Sequence, residues 1–184
     1  VIGMSSGGTA ITAGFEHTCA LLATGAVKCW GWNGGGQLGD GTTTTRRTAT
    51  DVTGLSSGVT AISAGFNHTC ALLSSGAVKC WGYNGNGQLG DGTVTERRTA
   101  TDVTGLSSGV TAITAGQRHT CALLLSGPMK CWGLNNFGQI GDGTTFEQTL
   151  PSTVTGINDA TELAAGGSAA CAIVSGGAVK CWGN

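Results

Sequence analysis

Residues 17–33 read HTCALLATGAVKCWGWN, residues 68–84 read HTCALLSSGAVKCWGYN, and residues 119–135 read HTCALLLSGPMKCWGLN. A looser copy, AACAIVSGGAVKCWGN, occupies residues 169–184. Cys19, Cys70 and Cys121 stand 51 residues apart, and Cys171 follows after 50. Aligned at that spacing, residues 10–60 and 61–111 differ at eight positions. Copies this similar each take one local structure and stack on their neighbours.

Within the second copy, VTAISAG (59–65) alternates and carries β-branched residues, the pattern of a strand. HTCALL (68–73) and AVKCWG (77–82) read as two more strands, separated by Ser74-Ser75-Gly76. A three-residue hairpin loop ends in a left-handed position, which glycine occupies without strain. All four copies place glycine there: Gly25, Gly76, Gly127 and Gly177. A glycine-rich connection, NGNGQLGDGT (84–93), and then TDVTGL (101–106) follow, the latter read as a fourth strand. Four short strands repeated about every fifty residues, with no helical periodicity, predict an all-β chain, a β-propeller.

AGFNHTCAL (64–72), CWGYNGNGQLGDGT (80–93) and the 51-residue spacing together resemble the regulator of chromosome condensation repeat family. The resemblance recurs in the first three copies and, without the His and the glycine-rich loop, in the fourth. It implies a closed propeller, commonly of seven blades. At 184 residues the chain holds roughly three and a half to four blades and is expected to be part of a larger propeller. The units are placed at 8–58, 59–109, 110–159 and 160–184, the last incomplete, with 1–7 as the end of a preceding outer strand.

Counting outward from the loop at 23–25 pairs Leu22 with Ala26 and brings Cys19 opposite Cys29. The same count opposes Cys70 to Cys80, Cys121 to Cys131 and Cys171 to Cys181. Directly opposed residues on antiparallel strands lie within reach of a disulfide, so four disulfides are expected. The competing readings are buried free thiols and a metal site built from His17, Cys19 and Cys29. Zinc lacks a recurring fourth ligand here, and Ala169 replaces the His in the fourth copy. Disulfides persist in oxidising compartments, so the protein is expected outside the cell, on its surface or in the periplasm.

The net charge of −1, with basic residues spread along the chain, gives no footprint for nucleic acid. No apolar run approaches the length of a membrane-spanning helix, so no insertion is expected. Asn84, Asn86 and Asp91 give the glycine-rich loop the composition of a calcium loop, but no bidentate Glu closes it. A glycine turn with a capping Asp is the simpler reading. His17, His68 and His119 are read as structural, hydrogen-bonded between strands, and Trp30, Trp81, Trp132 and Trp182 as packing between blades. Lys28, Lys79, Lys130 and Lys180 are read as packed stems with solvated heads, and Arg46-Arg47 and Arg97-Arg98 as solubilising pairs. No catalytic group recurs around one cleft, so no catalysis and no cofactor are expected.

Positions at which the copies disagree carry more information. Glu16, Asn67 and Arg118 share one place, and Trp32, Tyr83 and Leu134 another. Gly35, Asn86 and Phe137 share a third, and Thr44, Thr95 and Phe146 a fourth. They fall in turns, where a rigid scaffold carries recognition; drift at unconstrained surface positions is the competing explanation. The functional expectation is a secreted or cell-surface scaffold or adhesion module that binds another protein or a surface glycan through these loops. Unclosed blade edges also allow self-association. The resemblance adds two alternatives, a guanine-nucleotide exchange regulator of a small GTPase, as in the family's nuclear founder, and a secreted inhibitor of an enzyme.

Overall fold

A computed structural model describes Gly3, Met4 and residues 6–184, and among these every regular element is a strand. Strands β1 (Gly8–Ala13), β2 (His17–Leu22), β3 (Val27–Gly31) and β4 (Arg46–Asp51) form one antiparallel sheet in sequence order. The second sheet holds β5 (Val59–Ala64), β6 (His68–Leu73), β7 (Val78–Gly82) and β8 (Arg97–Asp102). The third holds β9 (Val110–Ala115), β10 (His119–Leu124), β11 (Met129–Gly133) and β12 (Gln148–Thr153). The fourth has three strands, β13 (Ala160–Gly166), β14 (Ala169–Val174) and β15 (Val179–Gly183). The first strand of each sheet touches the first strand of the next, so these strands lie innermost. These sheets are the blades of a β-propeller.

The hydrophobic core lies between sheets rather than within one. Cys19, Leu21, Val27, Leu38, Val52 and Leu55 of the first repeat pack against Ala71 and Trp81 of the second. The same layer recurs between the second and third sheets and between the third and fourth. A strand covered on both faces loses the apolar–polar alternation, which is why HTCALL is buried almost throughout in β6 and β10.

The hairpin closes through the Leu22 N–H to the Ala26 carbonyl at 2.9 Å, and Gly25 takes φ +77°. Hydrogen-bonded pairs alternate with non-bonded ones along antiparallel strands, so Cys19 and Cys29, three steps from Leu22 and Ala26, form a non-bonded pair. Their Cα atoms are 4.1 Å apart and a disulfide joins them. Cys70–Cys80, Cys121–Cys131 and Cys171–Cys181 repeat the arrangement, and no cysteine is free.

The fourth strand lies upstream of its expected place. TDVTGL contributes only its first two residues to β8, and its counterpart at 50–55 only Thr50 and Asp51 to β4. After Asp51 the chain turns inward. Val52 N–H bonds the Val27 carbonyl at 3.0 Å, Leu55 N–H bonds the Val52 carbonyl at 3.2 Å, and both side chains are buried in the layer between sheets. Apolar character here marks a plug, not a strand. Of the segment expected to end a preceding strand, Val1, Ile2 and Ser5 lie outside the described residues. Gly3 and Met4 adopt the turn and coil of their repeat partners Gly54 and Leu55.

Candidate functional site

Neighbouring blades are held together by one repeated set of buried polar contacts. His17 Nε2 lies 2.9 Å from Thr69 Oγ1 of the next blade, and Thr69 Oγ1 donates to the Gln37 carbonyl at 3.0 Å. That carbonyl also accepts Trp81 Nε1–H at 2.9 Å. Because the hydroxyl proton goes to Gln37, His17 Nε2 must carry the proton it donates to Thr69. His68, Thr120, Gln88 and Trp132 repeat the set at 3.0, 2.8 and 2.9 Å. At the third junction Trp182 Nε1 reaches the Gln139 carbonyl at 3.0 Å, but the Thr is replaced by Ala170, and His119 Nε2 finds no side-chain partner. His17 and His68 therefore bond across blades, not between strands of one sheet.

Each ring lies against the glycine of the Ala-Gly-x-x-His turn. A Cβ on Gly14, Gly65 or Gly116 would overlap the imidazole of His17, His68 or His119, which accounts for the glycine three residues before the histidine. Burial disfavours the charged ring, pushing His17 and His119 down to about 4. Burial, with a smaller contribution from the other two histidines, takes His68 to about 3.

The glycine-rich loop is organised around a buried asparagine. Asn33 Nδ2 donates to Asp40 Oδ1 and the Thr42 and Thr44 carbonyls at 3.1–3.2 Å, and Asn33 Oδ1 accepts the Leu38 N–H at 2.9 Å. Asn84 and Asn135 do the same in their loops. Asp40 Oδ1 also caps Thr42, and Asp40 Oδ2 takes Arg46 Nε–H at 2.7 Å; Asp91 and Arg97 form the same pair. Burial raises the carboxyl pKa of Asp40 and Asp91, but hydrogen bonds from Thr and Arg outweigh it and hold both below the usual value. Arg46 and Arg97 thus close loops rather than merely solubilise, while Arg47 and Arg98 are exposed. Lys28 and Lys79, read as solvated heads, pair with Asp51 and Asp102 at 2.7 and 2.6 Å.

His17 opposes Gly31 in the register, so the β1–β2 turn and the β3–β4 connection emerge at one end of the blade. The first two variable positions are joined there. Trp32 N–H bonds the Glu16 carbonyl, Tyr83 that of Asn67, and Leu134 that of Arg118, at 2.8–2.9 Å. The third variable position reaches the next blade, since a Cβ on Gly35 would stand 3.3 Å from Tyr83 Cβ. The fourth sits on the same loop, where Asn33 and Asn135 hold the Thr44 and Phe146 carbonyls. Glu16 and Arg118 are exposed, as are Trp32, Phe137 and, at 74%, Phe146. Asn67, Tyr83, Asn86 and Leu134 are half-buried, Gly35 is buried, and Asn86 Nδ2 donates to Glu147 at 2.8 Å.

Two further aromatics lie at this end, at a position not among the four above. Phe15 and Phe66 stack with centroids 4.2 Å apart, and Phe15 is 65% exposed. Backbone bonds link Phe15 to Phe66, Phe66 to Gln117, and Gln117 to Gly167, running along the inner ends of the four sheets. The third copy has Gln117 in place of Phe15 and Phe66, so this position varies as Thr44, Thr95 and Phe146 do, and the sequence carried the signal.

Residues 9–37, 59–88 and 110–139 match the Regulator of chromosome condensation (RCC1) repeat, and a second description of the repeat matches residues 24–72, 75–123 and 131–173. The Ultraviolet-B receptor UVR8 of Arabidopsis thaliana is 35% identical over 146 residues, covering 78% of this chain and 33% of the receptor. Yeast RCC1 (Prp20), in its structure bound to Kap60, superposes with a TM-score of 0.84 at 23% identity, over 99% of this chain and 45% of that one. The ectodomain of the Physcomitrella patens receptor kinase CR4 gives 0.62 at 25% identity, over 98% of this chain and 42% of that one. The chain therefore spans a third to just under half of these proteins. Two sets of repeat matches, the fold and the shared identity agree: this chain belongs to the regulator of chromosome condensation (RCC1) repeat family.

Proposed function

We propose that this chain is part of a secreted or cell-surface propeller that binds another protein through the loop end of its blades, with no chemistry of its own. The observation that carries this reading is the convergence of the variable positions: the first two are hydrogen-bonded neighbours in each of the first three blades, and Gly35 abuts Tyr83 of the next blade. Exposed aromatics on a rigid frame are the anchors on which protein interfaces depend. Four disulfides support an oxidising location, and a receptor-kinase ectodomain among the structural neighbours agrees with it. Uncovered sheet faces at Ile11 and Val179, 71% and 65% exposed, are a route to self-association, which light scattering reads.

The test immobilises the chain, a loop-end variant (Trp32→Ala, Tyr83→Ala, Phe137→Ala, Phe146→Ala) and an opposite-end variant (Thr24→Ala, Ser75→Ala, Leu125→Ala). Each is exposed to the culture medium and surface fraction of the source cells, and the retained protein is identified by mass spectrometry. Binding should weaken roughly thirtyfold or more in the loop-end variant, the effect of losing one anchor of about 2 kcal/mol. It should persist in the other. Equal retention by both variants overturns the reading. Alkylation of the natively purified protein with and without reduction tests the compartment, because eight readily alkylated thiols would contradict it.

A further inference from the structure

One cleft at the loop end is chemically distinct. It lies between the second and third blades and is lined by Phe66, Asn67, Tyr83, Gln88, Gln117 and Arg118. Gln88 is 1% exposed; its Oε1 accepts the Asn86 N–H at 2.9 Å, and its carbonyl takes Thr120 and Trp132. Its Nε2 donors are left without a hydrogen-bond partner among the described residues. Asn67 is fixed through its backbone carbonyl to Tyr83 N–H, while its Oδ1 is buried without a partner. Arg118 is exposed and, among the described residues, belongs to none of the ion pairs. The cleft thus combines an uncompensated guanidinium at the rim, a buried amide with free donors at the base, and aromatic walls.

We infer that this cleft receives the side-chain carboxylate of an aspartate or glutamate carried by a protein partner. A guanidinium presents a planar fork that matches a carboxylate, and its hydrogen bonds to an ion are about twice as strong as neutral ones. A single cation with neutral carboxamides suits a monoanion; a phosphate dianion calls for more positive charge. The chain contains its own control. By repeat position, the corresponding place between the first two blades carries Glu16 where this cleft has Asn67, and Asn67 where it has Arg118. That place therefore holds an acid and no base, and it repels the anion that its neighbour attracts. This inference rests on the reading of the loop end as a protein-binding surface.

The test uses end-capped peptides, acetyl-Gly-Glu-Gly-amide and its Gln counterpart, titrated into isotopically labelled protein while side-chain N–H resonances are followed by NMR. The Arg118 Nε–H and the Gln88 and Asn67 amide signals should shift saturably with the Glu peptide, and the response should fade as salt is raised. Arg118→Asn, which copies the second repeat, should weaken binding about tenfold or more without altering the rest of the spectrum. Equal responses to both peptides, no saturable shift, or an unchanged response in Arg118→Asn would overturn the inference. If the Glu peptide gives no shift while the loop-end variant still loses its protein partner, the carboxylate site fails and the broader reading stands.

Discussion

Lowering the pH from about 7.5 to about 5 should cost this protein about 6 kcal/mol of stability through its three histidines alone. Each ring is buried and neutral, with its pKa reduced from 6.5 to about 4 for His17 and His119 and to about 3 for His68. Near pH 5 the unfolded chain binds a proton at each histidine and the folded chain binds almost none. Protons therefore favour unfolding, and stability is complete above the unfolded value of 6.5. It falls as pH drops through that value and continues to fall until the folded rings titrate near 3–4. At about 1.4 kcal/mol per unit, one and a half units amount to about 2 kcal/mol per ring. Asp40, Asp91 and Asp142 do not enter this window, because hydrogen bonds hold their carboxyls below the ordinary 3.8. Urea unfolding at several pH values, extrapolated to water, measures the effect. His119→Gln should remove about a third of the slope, because His119 has no side-chain partner to lose. A change below about 1 kcal/mol between pH 7.5 and 5, or a slope unaffected by His119→Gln, would refute the account of buried neutral rings.

Ala170→Thr should restore the missing hydroxyl of the third junction, satisfy His119 Nε2 and raise stability by about 1 kcal/mol in denaturant titrations. Its mirror image, Thr69→Val, removes two buried hydrogen bonds and strands a histidine donor, and should cost about 2–4 kcal/mol by the same assay. Gly65→Ala forces a methyl into the His68 ring and should lower stability by about 1–3 kcal/mol, whereas Gly54→Ala meets nothing within 4 Å. Because Gly54 has φ +83°, its cost is conformational only, and comparing the two variants separates crowding from backbone strain. Cys70→Ala with Cys80→Ala should destabilise by about 3 kcal/mol, the loop-closure value for a ten-residue separation. In mass-spectrometric mapping under mild reduction, Cys171–Cys181 should open first, since the cysteines of the other three bridges are fully buried.

The hairpins were the most legible part of the chain. One glycine at the end of each loop fixes the register by counting, and the cysteine pairs follow from it. The fourth strand was not legible, because RRTATD is polar and lies at the exposed edge of the sheet, while the apolar pair Val52 and Leu55 belongs to the turn after it. The histidines declared their burial through repetition but not their partner. Thr69 lies 52 residues away from His17 and reads locally as an ordinary strand residue. The loop-end positions stand out where the copies differ, and Phe15 and Phe66 belong with them, since Gln117 takes their place in the third copy. Nor did composition show that Arg46 and Arg97 are bound to Asp40 and Asp91, since the pairing depends on a loop folded around Asn33 or Asn84.

The contacts that join one blade to the next are a backbone carbonyl at Gln37 or Gln88 and a His–Thr pair carried by every blade of the first three. Each of the first three repeats thus presents the same socket on one side and the same plug on the other, whatever its loops carry. Recombination between copies that adds or deletes one 51-residue unit joins a matching plug to a matching socket, so the length of the array can change in whole blades without a new interface. The loop-end residues can be exchanged by the same events, because they lie outside the buried His–Thr–Gln–Trp set. The near-identity of residues 10–60 and 61–111 makes these two units interchangeable at the joint.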